Sequence, residues 1–224
     1  MAATINTNTY SLNAQTNLNK NSLGLRSALE RLSSGLRVNS ARDDATGLAS
    51  GMKIDAAARV TAVDIRKEGD KISSAQITDG ALSVVGDIVA RIMELTAMGG
   101  GSAEIGLLVT QASDVQTAAN TAIAKFGGTS TALVAVTSAA DETVLGNVSA
   151  ARTTAGSIMN NAEFAIQSKR VSYEAQQAAR SRIMDADFAQ ETSNLSRFQI
   201  LQQAGTAMVA QANAIPQNVL TLLR

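Results

Sequence analysis

The sequence has no cysteine, no histidine and no tryptophan, holds a single proline, and carries aromatic residues at only 3% of its 224 positions. Without cysteine there are no disulfides and no thiolate metal sites, as suits a protein that relies on no redox compartment. With histidine missing as well, the commonest general bases, nucleophiles and transition-metal ligands are gone. Few large rings argue against a compact enzyme core, because each aromatic buries a large apolar area. Lys plus Arg and Asp plus Glu stand at 19 each, so no net field favours nucleic acid or an anionic membrane, and partners must be recognised by shape. No apolar run approaches the roughly 18 residues that span a bilayer, which argues against membrane insertion. The opening MAATINTNTYSLNAQ lacks the basic start and apolar stretch of a cleaved secretory signal. The chain is expected either to stay inside the cell or to leave by a route without such a signal.

What is present is small and periodic. Ala, Ser, Thr, Gln and Asn abound, residues that suit long helices packed side by side. Leu18, Leu25 and Leu32 recur seven apart, with Leu29 and Leu36 on the neighbouring row. This is the seam of a helix that buries a narrow stripe on other helices. Left in water, each leucine forfeits roughly 1.5–3 kcal/mol, so the helix needs a partner. Gly35 and the polar run 39–44 predict a connector. Ser40 and Asp43 resemble a capping box at the head of a second helix. That helix should continue without proline to Met98, about 80 Å at 1.5 Å per residue. Gly99, Gly100 and Gly101 end it, Ser102 is placed to cap a third helix reaching Phe126, and Gly127 and Gly128 break the chain again. Within 129–146, LVAV and TVL flank a polar TSAADE and read as a small β-hairpin. A fourth helix is expected over 147–180.

The last segment, 185–224, repeats the design of the first. Leu201, Met208, Ile215 and Leu222 fall seven apart, and Phe198, Gly205, Ala212 and Val219 form a second row. Pro216 is expected to kink or end this helix. Each terminus thus carries a seam that it cannot bury alone, so the two should coil around each other and around copies from other subunits. The fold class that follows is mainly α: a long-helix antiparallel bundle or coiled coil with a small hairpin. Its expected division is 1–39, 40–184 and 185–224.

No catalytic constellation emerges, and no cofactor or metal site is expected. Asp43 and Asp44 lack the glycine loop and further carboxylates of a calcium site, and a helix start is the better reading. The glycine triplet at 99–101 lacks the strand context of a phosphate loop. Arg26, Arg31, Arg37 and Arg42 are dispersed among acids and polar groups, which favours a solvated face or subunit salt bridges over nucleic acid.

Two terminal stretches are specific enough to name a family. ERLSSGLRVNSARDDATGLA, residues 30–49, closely resembles the N-terminal signature of bacterial flagellins. SRIMDADFAQETSNLSRFQILQQAGTAMVAQANAIPQNVLTLLR, residues 181–224, is similar to their C-terminal signature almost throughout. INTN at 5–8 fits as well, and the resemblance spans roughly 1–100 and 148–224. It implies a secreted, extracellular subunit that polymerises with itself into the filament, transmits motor torque as a propeller and catalyses nothing. It also implies an inner domain made by the first and last helices and a tube wall made by the middle ones. The partners implied are the flagellar export apparatus, an export chaperone, and the filament cap and junction proteins. Subunit-assembly contacts are expected at Leu18, Leu25, Leu29, Leu32, Leu36, Phe198, Leu201, Met208, Ala212, Ile215, Val219 and Leu222. Relatives insert a variable outer domain in the middle, whereas only 129–146 occupies that place here. In ARIMELTA, residues 90–97, Arg91, Glu94 and Leu95 match a segment that innate immune receptors recognise in related flagellins, although the third helix beside it matches poorly. Residues 30–49 resemble the epitope perceived by plant receptors more closely. Packing or a subunit interface is the primary role expected of both segments. A hook-filament junction protein with similar ends is the nearest alternative, and a chemoreceptor-like signalling hairpin is the alternative from another class.

Overall fold

The computed structural model describes the backbone of residues 7–126, 134–137 and 142–222, and side chains as far as residue 214. Five helices follow one another: α1 (Thr9–Ser34), α2 (Ala45–Ala97), α3 (Ser102–Lys125), α4 (Glu142–Met184) and α5 (Phe188–Leu222). Among the described residues there is no named strand, and one isolated antiparallel bridge joins Leu36 to Asp185. The chain divides into two compact units, one of Met1–Asp55 with Gln177–Arg224 and the other Ala56–Gln176.

In the first unit Asn8 caps α1, its side-chain oxygen accepting from the Ser11 N–H at 3.1 Å. The helix ends where Gly35 enters the left-handed region (φ 71°) and returns its N–H to the Arg31 carbonyl at 2.8 Å. A residue with a Cβ would be strained there, which fixes the stop at this glycine. The connector is then sealed against the end of α4, with the Arg37 N–H donating to the Met184 carbonyl at 2.7 Å and the Val38 side chain fully buried. Ser40 and Asp43 do not open α2, as the capping-box reading expected. Asp43 instead closes a single turn, accepting from the N–H and hydroxyl of Ser40, both at 3.0 Å. The cap of α2 falls to Asp44, which accepts from the Gly47 N–H and the Thr46 hydroxyl, both at 2.8 Å. That Gly47 N–H, followed by the Thr46 hydroxyl, holds the Asp44 carboxyl below its ordinary value.

In the second unit the core is a row of α2 side chains at spacings of three and four, Leu82, Val85, Ile88, Val89, Ile92 and Leu95. They pack with Ile105 and Ala112 of α3 and Val148 of α4. Farther along, α2 and α4 run antiparallel, with Arg152 on Asp79 at 2.8 Å and Thr61 on Gln176 at 3.3 Å, and the alanines Ala58, Ala75, Ala155 and Ala162 are buried. Small side chains let helix axes approach, and so the alanine-rich composition becomes packing.

Three expectations about element boundaries need correction. Thr143, Val144 and Leu145, expected in a hairpin strand, lie in the first turn of α4, and residues 134–137 form no strand. The remainder of the expected hairpin lies outside the described residues. Pro216 does not end α5, whose helical backbone reaches Leu222. Ser102 is the first residue of α3 rather than its cap, a position taken by Gly101 without any side-chain bond.

An ion-pair knot links α4 to α2. Lys169 Nζ lies 3.3 Å from Asp64 Oδ2 and 3.4 Å from Glu68 Oε1, while Lys71 Nζ is 2.9 Å from Glu68 Oε2. The Lys71 hydrogen bond, opposed by desolvation and aided by Lys169, holds the Glu68 carboxyl below its ordinary value near 4.5. A carboxyl whose pKa is lower folded than unfolded stabilises fully above the unfolded value, and that stabilisation is lost as pH falls through the folded one. The second unit should therefore lose thermal stability on acidification below about 4.5. Lys169→Met should flatten that dependence. Melting curves by circular dichroism at neutral and acid pH check this, and identical pH responses in both proteins would show that Lys169 adds nothing to the Lys71–Glu68 pair.

Candidate assembly surface

α1 and α5 lie side by side and antiparallel. Arg31 Nη1 meets Glu191 Oε1 at 3.1 Å, Phe198 lies against Gly24, Leu18 against Gly205, and Asn8 reaches Ala212. Each step up α1 is thus matched by a step down α5. Glycine is required at the closest approach, because a Cβ on Gly24 would stand 2.6 Å from two atoms of the Phe198 ring. On Gly205 it would come within 3.0 Å of Leu18 Cδ1. The Glu191 side chain is mostly buried and takes its charge partner from α1. That pair fixes the end of the seam opposite Asn8.

The expected assembly residues divide between two faces. Leu18, Leu25, Leu32, Leu36 and Phe198 are half-buried, and Ala212 is 7% exposed. These serve the pairing of α1 with α5 within one chain, apart from Leu36, which lies past Gly35 in the bridge to Asp185. Leu29, Leu201 and Met208 instead face solvent, Leu201 at 40% and Met208 at 62% exposure. Ile215, Val219 and Leu222 lie on the helical backbone of α5, and their side chains are outside those described. The two rows read from the C-terminal sequence thus have different partners: Phe198, Gly205 and Ala212 turn to α1, while Leu201 and Met208 turn away.

Beside the outward row runs a groove of about 590 Å³, walled by Tyr10, Ala14 and Leu18 of α1 and by Leu201, Ala204 and Met208 of α5. Asn13, Asn17 and Asn21 line it as well. Tyr10, Leu12, Leu23 and Ile200 are further exposed apolar residues of this helix pair that the heptad reading missed. They lie off the sevenfold rows, and the only signal for them was an apolar residue out of register. Leaving such side chains in water forfeits roughly 1.5–3 kcal/mol apiece. The apolar wall of the groove itself, Tyr10, Leu18, Leu201 and Met208, is contiguous surface of the kind that suits a contact with another molecule.

The residues matched to receptor recognition separate in a different way. Arg91 is exposed and bridges Glu94 at 3.0 Å and Glu104 at 3.8 Å. Leu95 is 5% exposed and belongs to the core of the second unit, so its side chain is closed to an outside partner. A second, polar groove of about 580 Å³ lies between α2 and α4, where Arg152 is already bonded to Asp79. Among the described residues no group of three or more acidic side chains could hold a metal ion, and no helix is long and apolar enough to cross a membrane.

Comparison with known proteins adds to this geometry. Residues 5–103 match the sequence model of the bacterial flagellin N-terminal helical region, and residues 138–223 match that of the bacterial flagellin C-terminal helical region. The chain is 32% identical to a flagellin of Xenorhabdus nematophila, in an alignment that covers both proteins completely. It is 28% identical to the flagellar filament 33 kDa core protein of Treponema phagedenis, over 98% of this chain and 99% of that one. A flagellin of Bordetella bronchiseptica is 52% identical over 96 residues, which are 43% of this chain and 25% of the relative. The Xenorhabdus alignment runs over 319 positions against 224 residues here, so that relative carries residues for which this chain has no counterpart.

Proposed function

The chain belongs to the bacterial flagellin family, and from that premise we infer that it is a structural subunit of the flagellar filament, the propeller of swimming motility. One observation carries the mechanism: an apolar row, Leu201 and Met208, stands exposed beside a groove on a helix pair whose other row is already spent within the chain. The subunit polymerises by burying this row, together with Leu29 and the C-terminal Ile215, Val219 and Leu222, against other copies. A head-to-tail contact that does not close into a ring generates a helical polymer. The domains 1–39 and 185–224 form the inner, assembling part, and 40–184 form the wall around it.

The subunit reaches the filament through the flagellar export apparatus, escorted by an export chaperone, and the filament meets junction and cap proteins at its ends. Its place is extracellular, and it acts without cofactor or catalysis. Of Arg91, Glu94 and Leu95, the first two face outward and are the ones available to an immune receptor.

The test is electron microscopy of material sheared from cells that express this chain as their sole flagellin. Long filaments composed of it are the expected result. A short ring of it at the hook, with the filament made of another protein, would favour the junction reading. Retention of the chain inside the cell would overturn both.

A further inference from the structure

Pro216 sits inside the helical backbone of α5 and brings no N–H, so the carbonyl four residues earlier, on Ala212, loses the donor that a helix would supply. Ala212 is buried against α1, where an unsatisfied carbonyl is costly. The structure gives that carbonyl a donor from the other end of the chain: Asn8 Nδ2 lies 2.7 Å from the Ala212 oxygen. The same side chain caps α1 through its oxygen, at 3.1 Å from the Ser11 N–H. One turn on, the buried Ser11 donates its hydroxyl to Asn213 Oδ1 at 2.7 Å, and Gln15 donates to Ser11 at 3.2 Å.

From this we propose that Asn8 and Pro216 form a register clamp, in which proline frees a carbonyl so that the cap residue of α1 can pin α5 at one antiparallel register. The close fits at Gly24 and Gly205 and the Arg31–Glu191 pair already favour one register of the sevenfold rows; the freed carbonyl, which occurs once, adds a polar contact at the opposite end of the seam. A single polar contact in an apolar seam is an established way to specify register between helices. Asn8 is thus a positioning residue for assembly: the register it fixes decides where Leu201 and Met208 stand relative to Tyr10 and Leu18 along the groove. The inference depends on the filament reading for its assay, not for its geometry.

The test separates the clamp from the cap. Asn8→Asp keeps the oxygen that caps α1 and removes the donor to Ala212. In filaments of the native background it should lower the midpoint of thermal depolymerisation by about 3 °C. In a Pro216→Ala background residue 216 supplies its own N–H, and Asn8→Asp should then leave the midpoint unmoved. Equal losses in both backgrounds, or no loss in the native one, would overturn the clamp. A second readout does not depend on assembly of the Pro216 variant. Labelling alanine at carbonyl carbon and asparagine at amide nitrogen selects the Ala212 carbonyl, because the sequence holds one other Ala-Asn step, at Ala119. Asn8→Asp should shift the Ala212 resonance upfield and leave that of Ala119 in place, and an unmoved Ala212 signal overturns the proposal. If the native chain formed no filaments, the family-based function would fail on its own, and the carbonyl signal of the soluble chain would still decide the clamp.

Discussion

A chain that lacks residues 1–34, or one that stops at Asp187, stays soluble and does not extend filament seeds that the full chain extends readily. The two truncations remove opposite sides of one helix pair. Without α1, Phe198 loses the backbone it rests on at Gly24, and Glu191 loses Arg31, the partner that neutralises its mostly buried carboxylate. Without α5, the half-buried Leu18, Leu25 and Leu32 are returned to water, each at roughly half of the ~1.5–3 kcal/mol that full burial is worth. Either change also removes one wall of the groove on which the exposed row depends. The second unit keeps its own core, because Leu82, Val85, Val89, Ile92, Ile105 and Val148 all lie between the cuts. Sedimentation of seeded reactions should therefore show no polymer, while circular dichroism loses the helix of the removed segment and of its orphaned mate but keeps that of the second unit. Ordinary polymerisation of either truncated form would mean that assembly runs through the second unit.

Much of this arrangement was legible in the sequence because helices announce their limits locally. Gly35 and Gly99 both adopt positive φ at helix ends, and each was readable as a stop. Leu82, Val85, Val89 and Ile92 stand three or four apart in the sequence, the spacing of one helix face, and they form the buried stripe of α2. The hairpin was misread because Thr143 and Val144 favour strands in isolation, whereas α4 extends over them and Val144 packs on the core. Propensity of single residues is a weak guide when tertiary packing offers a longer helix. Pro216 misled for a comparable reason: the cost of a missing N–H depends on whether another donor reaches the freed carbonyl, and Asn8 is 204 positions from Ala212 in sequence.

The division of labour between the two rows of α5 was not readable at all. Both rows repeat every seven residues and both are apolar, so periodicity treats them alike. What separates them is fit: Gly205 admits Leu18, and Gly24 admits the Phe198 ring. The row containing glycine and alanine therefore takes the close intramolecular contact. The bulkier row, with leucine and methionine, is left outside, and that is the row we propose to meet neighbouring copies.

Met208→Lys should abolish sedimentable filament while leaving the helical content of the soluble chain unchanged. Met208 is 62% exposed in the single chain, so a lysine there can extend into water and α5 can keep its pairing with α1. The expectation changes once a second copy covers the groove wall formed by Leu201, Ala204 and Met208. An ammonium trapped without a carboxylate in such a contact costs several kcal/mol even after relaxation. The same cost recurs at every subunit added, and the critical concentration rises at ~1.4 kcal/mol per tenfold. Gln203→Lys is the control. It is also exposed, and at ~100° per residue it lies roughly 140° around the helix from Met208. It should assemble as the native chain does. Sedimentation and circular dichroism on both variants decide the matter: loss of filament in the first alone places the subunit contact on the Leu201 and Met208 row. Equal assembly of the two would mean that this row stays in water in the polymer, and that some other face of the helix pair meets the neighbouring copy.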